Sequence, residues 1–290
     1  VGRLEGKLIQ LVPDCRDKVG RGHYQRCHEL ARYLRENSRV DFTPVFTEFG
    51  EIVKFEQYDL VVIDTHRDVS ELVNYGISRA CKVVVLDNFY HDKRTLGINV
   101  FDHEVVDRTK TITSVNNIIL REEILNRGMA NDTLPYALIC LGGADVNKQS
   151  NNLARKLHAT YRQKILLVKP HWDEEVNTLT SECERIEVVV WPDNFVELLA
   201  HAEIVVCNAG TTMFEAMLLG RPVVAWPQSS YESNMARHFA EQGLIVGIGI
   251  ESLANYDSFN TATRLPFDGR GGERVADLIS NLLYESKVDS

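Results

Sequence analysis

The chain has 290 residues, 44% of them hydrophobic and 25% charged, with a formal net charge of −9 at pH 7. That composition fits a water-soluble globular protein long enough for two α/β domains, each burying its own core. No apolar run approaches the roughly eighteen residues that span a bilayer, and the acidic balance opposes nucleic acid or an anionic membrane surface as a partner.

The six cysteines form no C-x-x-C pair, and Cys140 and Cys207 fall inside apolar runs, as reduced thiols packed like small hydrophobes. The opening Val-Gly-Arg-Leu lacks a basic-then-apolar leader pattern, so a cytoplasmic location is expected. In chain order, residues 7–13 read as a buried strand. A polar glycine loop follows, and then a helix whose apolar stripe runs through Cys27, Leu30, Ala31 and Leu34. Short apolar strands are predicted at 42–46, 60–63 and 83–86, the last two ending in Asp64 and Asp87, with a helix over 69–79. Weaker strands are predicted at 97–101 and 111–114.

The polar, turn-forming stretch 126–135 reads as a linker. Beyond it, strands are predicted at 136–141, 164–168, 187–191, 204–207, 222–226 and 244–248. Gly142-Gly143 opens a helix through Leu153, Ala154 and Leu157. Strand and helix alternate in both halves, which predicts an α/β protein of two Rossmann-like, doubly wound parallel-sheet domains, 1–130 and 131–290. The last helix is a candidate to pack back on the first domain. Ligands of such sheets bind beyond the carboxyl ends of the strands, where the glycine turns fall.

Two turns carry the chemistry. In Asn208-Ala-Gly210-Thr211-Thr212-Met-Phe-Glu215, a strand ends and a helix begins, so unpaired backbone N–H groups and the positive end of the helix dipole suit a phosphate. Glu215 lies one turn further in, within reach of sugar hydroxyls. In Gly20-Arg-Gly22-His23, glycines let a ligand approach the backbone, and His23 starts the next helix. A neutral imidazole there can take a proton from water or an alcohol near pH 7. His23 and Cys27 share a helical face, but no third ligand accompanies them and Cys27 fits the apolar stripe, so no metal is expected. Trp191 and Trp226 read as core.

Taken in order, G-x-G-H-x-x-R-C, Leu120-Arg-Glu-Glu123, Gly142-Gly143-Ala-Asp145, the Gly210 turn, Tyr231-Glu-Ser-Asn234 and Asp268-Gly-Arg-Gly-Gly-Glu-Arg-Val275 resemble the UDP-sugar hydrolases of pseudaminic acid biosynthesis, the PseG/SpsG family, which is related to MurG-like glycosyltransferases. The resemblance covers nearly the whole chain. It implies a GT-B fold with the active site in an interdomain cleft, inverting chemistry, and neither metal nor cofactor. It makes His23 the base that activates water, and places the diphosphate at Gly210, Thr211 and Thr212 with the uridine ribose at Glu215. Gly142 and Gly143 are expected to line the nucleotide site. Gly22, Arg26, Asp64, His66, Tyr231, Glu232 and Asn234 are expected to face sugar or diphosphate. The chain departs from the family at Asp64-Thr-His66-Arg67, where Asp-His-Tyr-Gly is usual, and at Ser230-Tyr-Glu-Ser233, where Asn-Gln-Glu-Ser is usual. The expected function is hydrolysis of a UDP-linked deoxyamino sugar at its anomeric carbon. The alternatives are an inverting transferase that uses the same donor with a soluble acceptor, and a nucleotide-sugar binding protein without chemistry of its own.

Overall fold

The computed structural model describes residues 6–16, 21–46, 55–88, 94–101, 111–129, 132–143, 145, 147–261 and 263–285. Lys18 to Gly20 of the first glycine loop and Ala144 of the second lie outside the described residues. The chain divides into two compact units: Val1–Asp17, His23–Arg121 and Pro266–Ser290 form one, Lys18–Gly22 and Glu122–Leu265 the other. No helix among the described residues is long and apolar enough to cross a membrane.

The first unit begins with β1 (Leu8–Pro13), α1 (Gly22–Arg35), β2 (Arg39–Phe42), β3 (Leu60–Asp64), α2 (Ser70–Ser78), β4 (Lys82–Leu86), β5 (Leu96–Asn99) and β6 (Thr111–Thr113). The strands form one parallel sheet in the order β2-β1-β3-β4-β5-β6. β1, β3 and β4 are almost wholly apolar and buried, as strands covered on both faces must be. β2 starts earlier than its apolar residues predict, because an edge strand tolerates Arg39 and Asp41, which pair at 3.6 Å. The strand order reverses between β1 and β3. The crevice beyond their carboxyl ends is therefore the topological switch point of this sheet.

The second unit runs α3 (Glu122–Arg127), β7 (Leu134–Cys140), α4 (Ser150–Thr160), β8 (Lys164–Lys169), α5 (Glu174–Glu182), β9 (Ile186–Val190), α6 (Phe195–His201), β10 (Ala202–Cys207), α7 (Thr211–Leu218), β11 (Val223–Ala225), α8 (Ser230–Glu241) and β12 (Gly247–Ile248). Its parallel sheet is ordered β12-β11-β10-β7-β8-β9, with the reversal between β7 and β10. The chain enters this unit at Glu122, ahead of the polar stretch 126–135, because α3 already buries Ile124. The strand predicted at 244–248 shrinks to two residues. Left-handed Gly249, at φ 79°, turns the chain away from the ladder, and Ser252 packs against Gly247.

From Pro266 the chain belongs to the first unit again. There α9 (Gly271–Glu285) lays Val275, Ala276, Ile279 and Leu283 into the same core as Ile9, Leu11, Leu30, Leu34, Val62 and Val84. Its start is clamped by Arg274, whose two terminal nitrogens both donate to Asp268 at 2.6 Å. Gly271 is the tightest point, since a Cβ there would lie 2.1 Å from the Ile118 carbonyl oxygen. Gly271→Ala is accordingly expected to cost roughly 2–3 kcal/mol, read as a lowered urea midpoint at unchanged m. An unaltered midpoint would contradict this packing.

Candidate functional site

In the first unit, α1 presents His23, Arg26 and Cys27 on one helical face, as spacings of three and four dictate, and all three are buried. They meet Asp64, the last residue of β3, which has no exposed surface. His23 Nδ1 lies 2.5 Å from Asp64 Oδ1, and Arg26 donates to the same carboxylate through Nη2 at 2.5 Å and Nε at 2.7 Å. The Cys27 thiol donates to Asp64 Oδ2 across 3.6 Å. An ionised carboxylate can only accept, so His23 donates its Nδ1–H to Asp64 and Nε2 carries the lone pair. Burial alone would push the Asp64 carboxyl up, but the charge of Arg26, the nearby His23 and their hydrogen bonds outweigh it and hold the group well below the usual carboxylate range. Burial and the charge of Asp64 push the Cys27 thiol up, so it stays protonated.

Arg26 continues the chain of charges. Its Nη1 donates to Asp87 Oδ2 at 3.1 Å, and the same oxygen lies 3.5 Å from His66 Nε2. Asp87 follows β4 with left-handed backbone, φ 48°, an uncommon conformation for any residue with a side chain. The rings of His66 and His23 meet edge to face, centroids 4.8 Å apart. The loop carrying His66 is pinned from below. Thr65 Oγ1 donates to buried Asp14 at 2.8 Å, Arg16 grips Asp14 with two donors, and Asn88 donates to the Thr65 and Arg67 carbonyls. Sequence reasoning assigned no role to Asp87. The signal available was its place at the end of β4, next to the strand that ends in Asp64.

In the second unit, Gly210 precedes α7 in extended conformation, and no side chain caps the helix, so the amides at Thr211 and Thr212 are left for another acceptor. Asn208 ties this turn to its neighbours. A Cβ at Gly210 would lie 3.0 Å from Asn208 Nδ2, and one at Gly142, which is left-handed at φ 81°, 3.5 Å from Asn208 Oδ1. Asn208 Nδ2 donates to Glu232 Oε1 at 2.8 Å, while Glu232 Oε2 accepts the Gln228 amide at 2.7 Å. The structure thus brings Gly142, Gly210 and Glu232 together beyond the ends of β7, β10 and β11. Gly143 is half-buried in the same turn as Gly142, and Tyr231 is half-buried beside Glu232 on α8. Asn234 is exposed and accepts from Arg237 at 3.1 Å. Gly22 is exposed at the start of α1, with open space where a side chain would stand. Glu215, on α7, is completely buried behind the turn. Trp191 is not core: it is 40% exposed, with φ 43°, because it follows β9 at the edge of the sheet. Trp226 is half-buried against the second unit's core.

Two parallel six-stranded sheets with flanking helices, each with its polar cluster at the switch point, define a GT-B, glycosyltransferase-like fold. Residues 138–248 match the glycosyltransferase family 28 C-terminal domain. The chain is 28% identical over 277 residues to the uncharacterized protein MJ1062 of Methanocaldococcus jannaschii, covering 77% of this chain and 56% of that protein. It therefore spans little more than half the length of this curated relative. Among solved structures it resembles MurG of Acinetobacter baumannii, with TM-score 0.60 and 12% identity over 96% of this chain and 99% of that one. It likewise resembles S. aureus MnaA, solved with UDP, with TM-score 0.60 and 13% identity over 96% of this chain and 97% of that one. AviGT4, a glycosyltransferase involved in avilamycin A biosynthesis, gives TM-score 0.57 and 17% identity over 96% of this chain and 98% of that one. At such identities the likeness is one of fold.

Proposed function

We propose that the protein is a nucleotide-sugar hydrolase that breaks the anomeric C–O bond of a UDP-linked deoxyamino sugar with inversion and releases UDP. The observation that carries this reading is the buried His23–Asp64 contact of 2.5 Å at the switch point of the first unit. Asp64 holds the ring by accepting the hydrogen bond that Nδ1–H donates, so Nε2 is the base. Nε2 removes a proton from water as the water oxygen bonds to C1, while the C1–O bond breaks and its electron pair leaves with the diphosphate. In the second unit the free amides at the start of α7 receive the charge that develops on the diphosphate. Uridine is preferred because structural neighbours were solved with UDP and with UDP-GlcNAc. The sugar class comes from the resemblance of the ordered motifs to the UDP-sugar hydrolases of pseudaminic acid biosynthesis.

The match of residues 138–248 to a glycosyltransferase domain favours a second reading, in which an acceptor hydroxyl takes the place of water. Incubation with UDP-N-acetylglucosamine and with UDP-linked 2,4-diacetamido-2,4,6-trideoxyhexoses separates the two. Stoichiometric free sugar and UDP from enzyme and donor alone is the result expected; turnover only after an acceptor is added would establish transfer. UDP is also expected to raise the apparent stability by about 2.7 kcal/mol at about a hundredfold excess over its Kd, in a thermal-shift series in which CMP and GDP do less.

A further inference from the structure

We infer that His66 is the proton outlet of His23, an inference that rests on the reading of His23 as the base. A base that has taken a proton from water must lose it before the next turnover. His23 is 5% exposed, its Nδ1 is engaged by Asp64, and its other polar and ring contacts among the described residues are the guanidinium of Arg26 and the ring of His66. Arg26 cannot accept a proton. His66 can, and its side chain is 39% exposed.

Each of the two rings stands against a carboxylate, His23 against Asp64 and His66 against Asp87. Asp64 and Asp87 are two carboxylates, and Arg26 between them supplies one positive charge, so the buried cluster holds one excess negative charge that a single imidazolium balances. Cys27 stays a neutral thiol, and Asp14 on the far side of Thr65 is countered by Arg16. The proton that His23 takes from water then passes to His66, through a water molecule because the rings meet edge to face, and from His66 to solvent or buffer. No bond to carbon changes in this step, and His23 returns to its starting form.

The test is steady-state turnover of His66→Gln and His66→Ala with the UDP-sugar that wild type cleaves fastest, in dilute buffer and again with added imidazole. Expected are a fall in kcat of about a hundredfold in dilute buffer, KM within about twofold of wild type, and recovery of most of the loss in His66→Ala as imidazole is raised. Wild-type kcat in both variants, or a loss that appears mainly in KM and ignores imidazole, would overturn the outlet. His23→Gln run in parallel separates this from the reading beneath it: a dead His23→Gln beside a fully active His66→Gln removes the outlet alone, whereas a fully active His23→Gln removes both.

Discussion

Replacing His23 by Gln is expected to lower kcat by about two to four orders of magnitude while UDP binding stays within about twofold of wild type. The two effects separate because the groups reside on different elements. The imidazole starts α1 in the first unit, whereas the amides proposed to hold UDP open α7 in the second. Glutamine keeps a polar side chain of similar reach but cannot accept and return a proton. Calorimetric titration with UDP gives one half of the comparison and sugar release the other. Equal turnover in mutant and wild type would remove His23 from the chemistry.

Changing Asp64 is expected to give the largest loss of stability of any single substitution in the site. The carboxylate has no exposure and neutralises Arg26, itself buried, so Asp64→Ala leaves a guanidinium with less than its full complement of partners and should cost about 3–5 kcal/mol. Asp64→Asn keeps the shape, loses the charge, and offers an amide able to donate toward Nδ1, which favours the wrong tautomer of His23. Activity should fall in Asp64→Asn even at temperatures where the protein remains folded. The pH dependence follows from direction alone. Burial opposes ionisation of Asp64, yet Arg26 and His23 hold its folded-state value below the unfolded one. Its contribution is thus complete above the unfolded value of about 3.9 and drains away as pH falls through the folded value. Urea unfolding of wild type from about pH 5 down to about pH 2 should show this acid-side decline, and Asp64→Asn should show less of it.

Much of the architecture is written in short-range pattern. Runs such as Leu60 to Ile63 and Ile204 to Cys207 admit few readings other than buried parallel strands, and the glycine turn after Cys207 lies beyond the carboxyl end of its strand. Edge elements are less legible: β2 carries charges that an apolar criterion rejects, and Trp191, sound as a core residue by composition, sits at the rim. The candidate site divides in the same way. His23 announces itself by its glycines and helix start, but its bond to Asp64 joins residues 41 apart, and the link from Arg26 to Asp87 joins residues 61 apart. Asp64 and Arg26 were read as sugar-facing groups; the structure shows them engaged with His23 and with each other, which no local spacing could reveal.

The return of α9 to the first unit has a consequence for how the protein is made. Val275, Ala276, Ile279 and Leu283 complete a core whose other members lie before residue 120. The unit begun first during synthesis therefore stays incomplete, part of its apolar core uncovered, until the chain has been made through Leu265 and on into α9. A chain cut at Pro266 should lack α9 and leave the first unit unfinished and aggregation-prone.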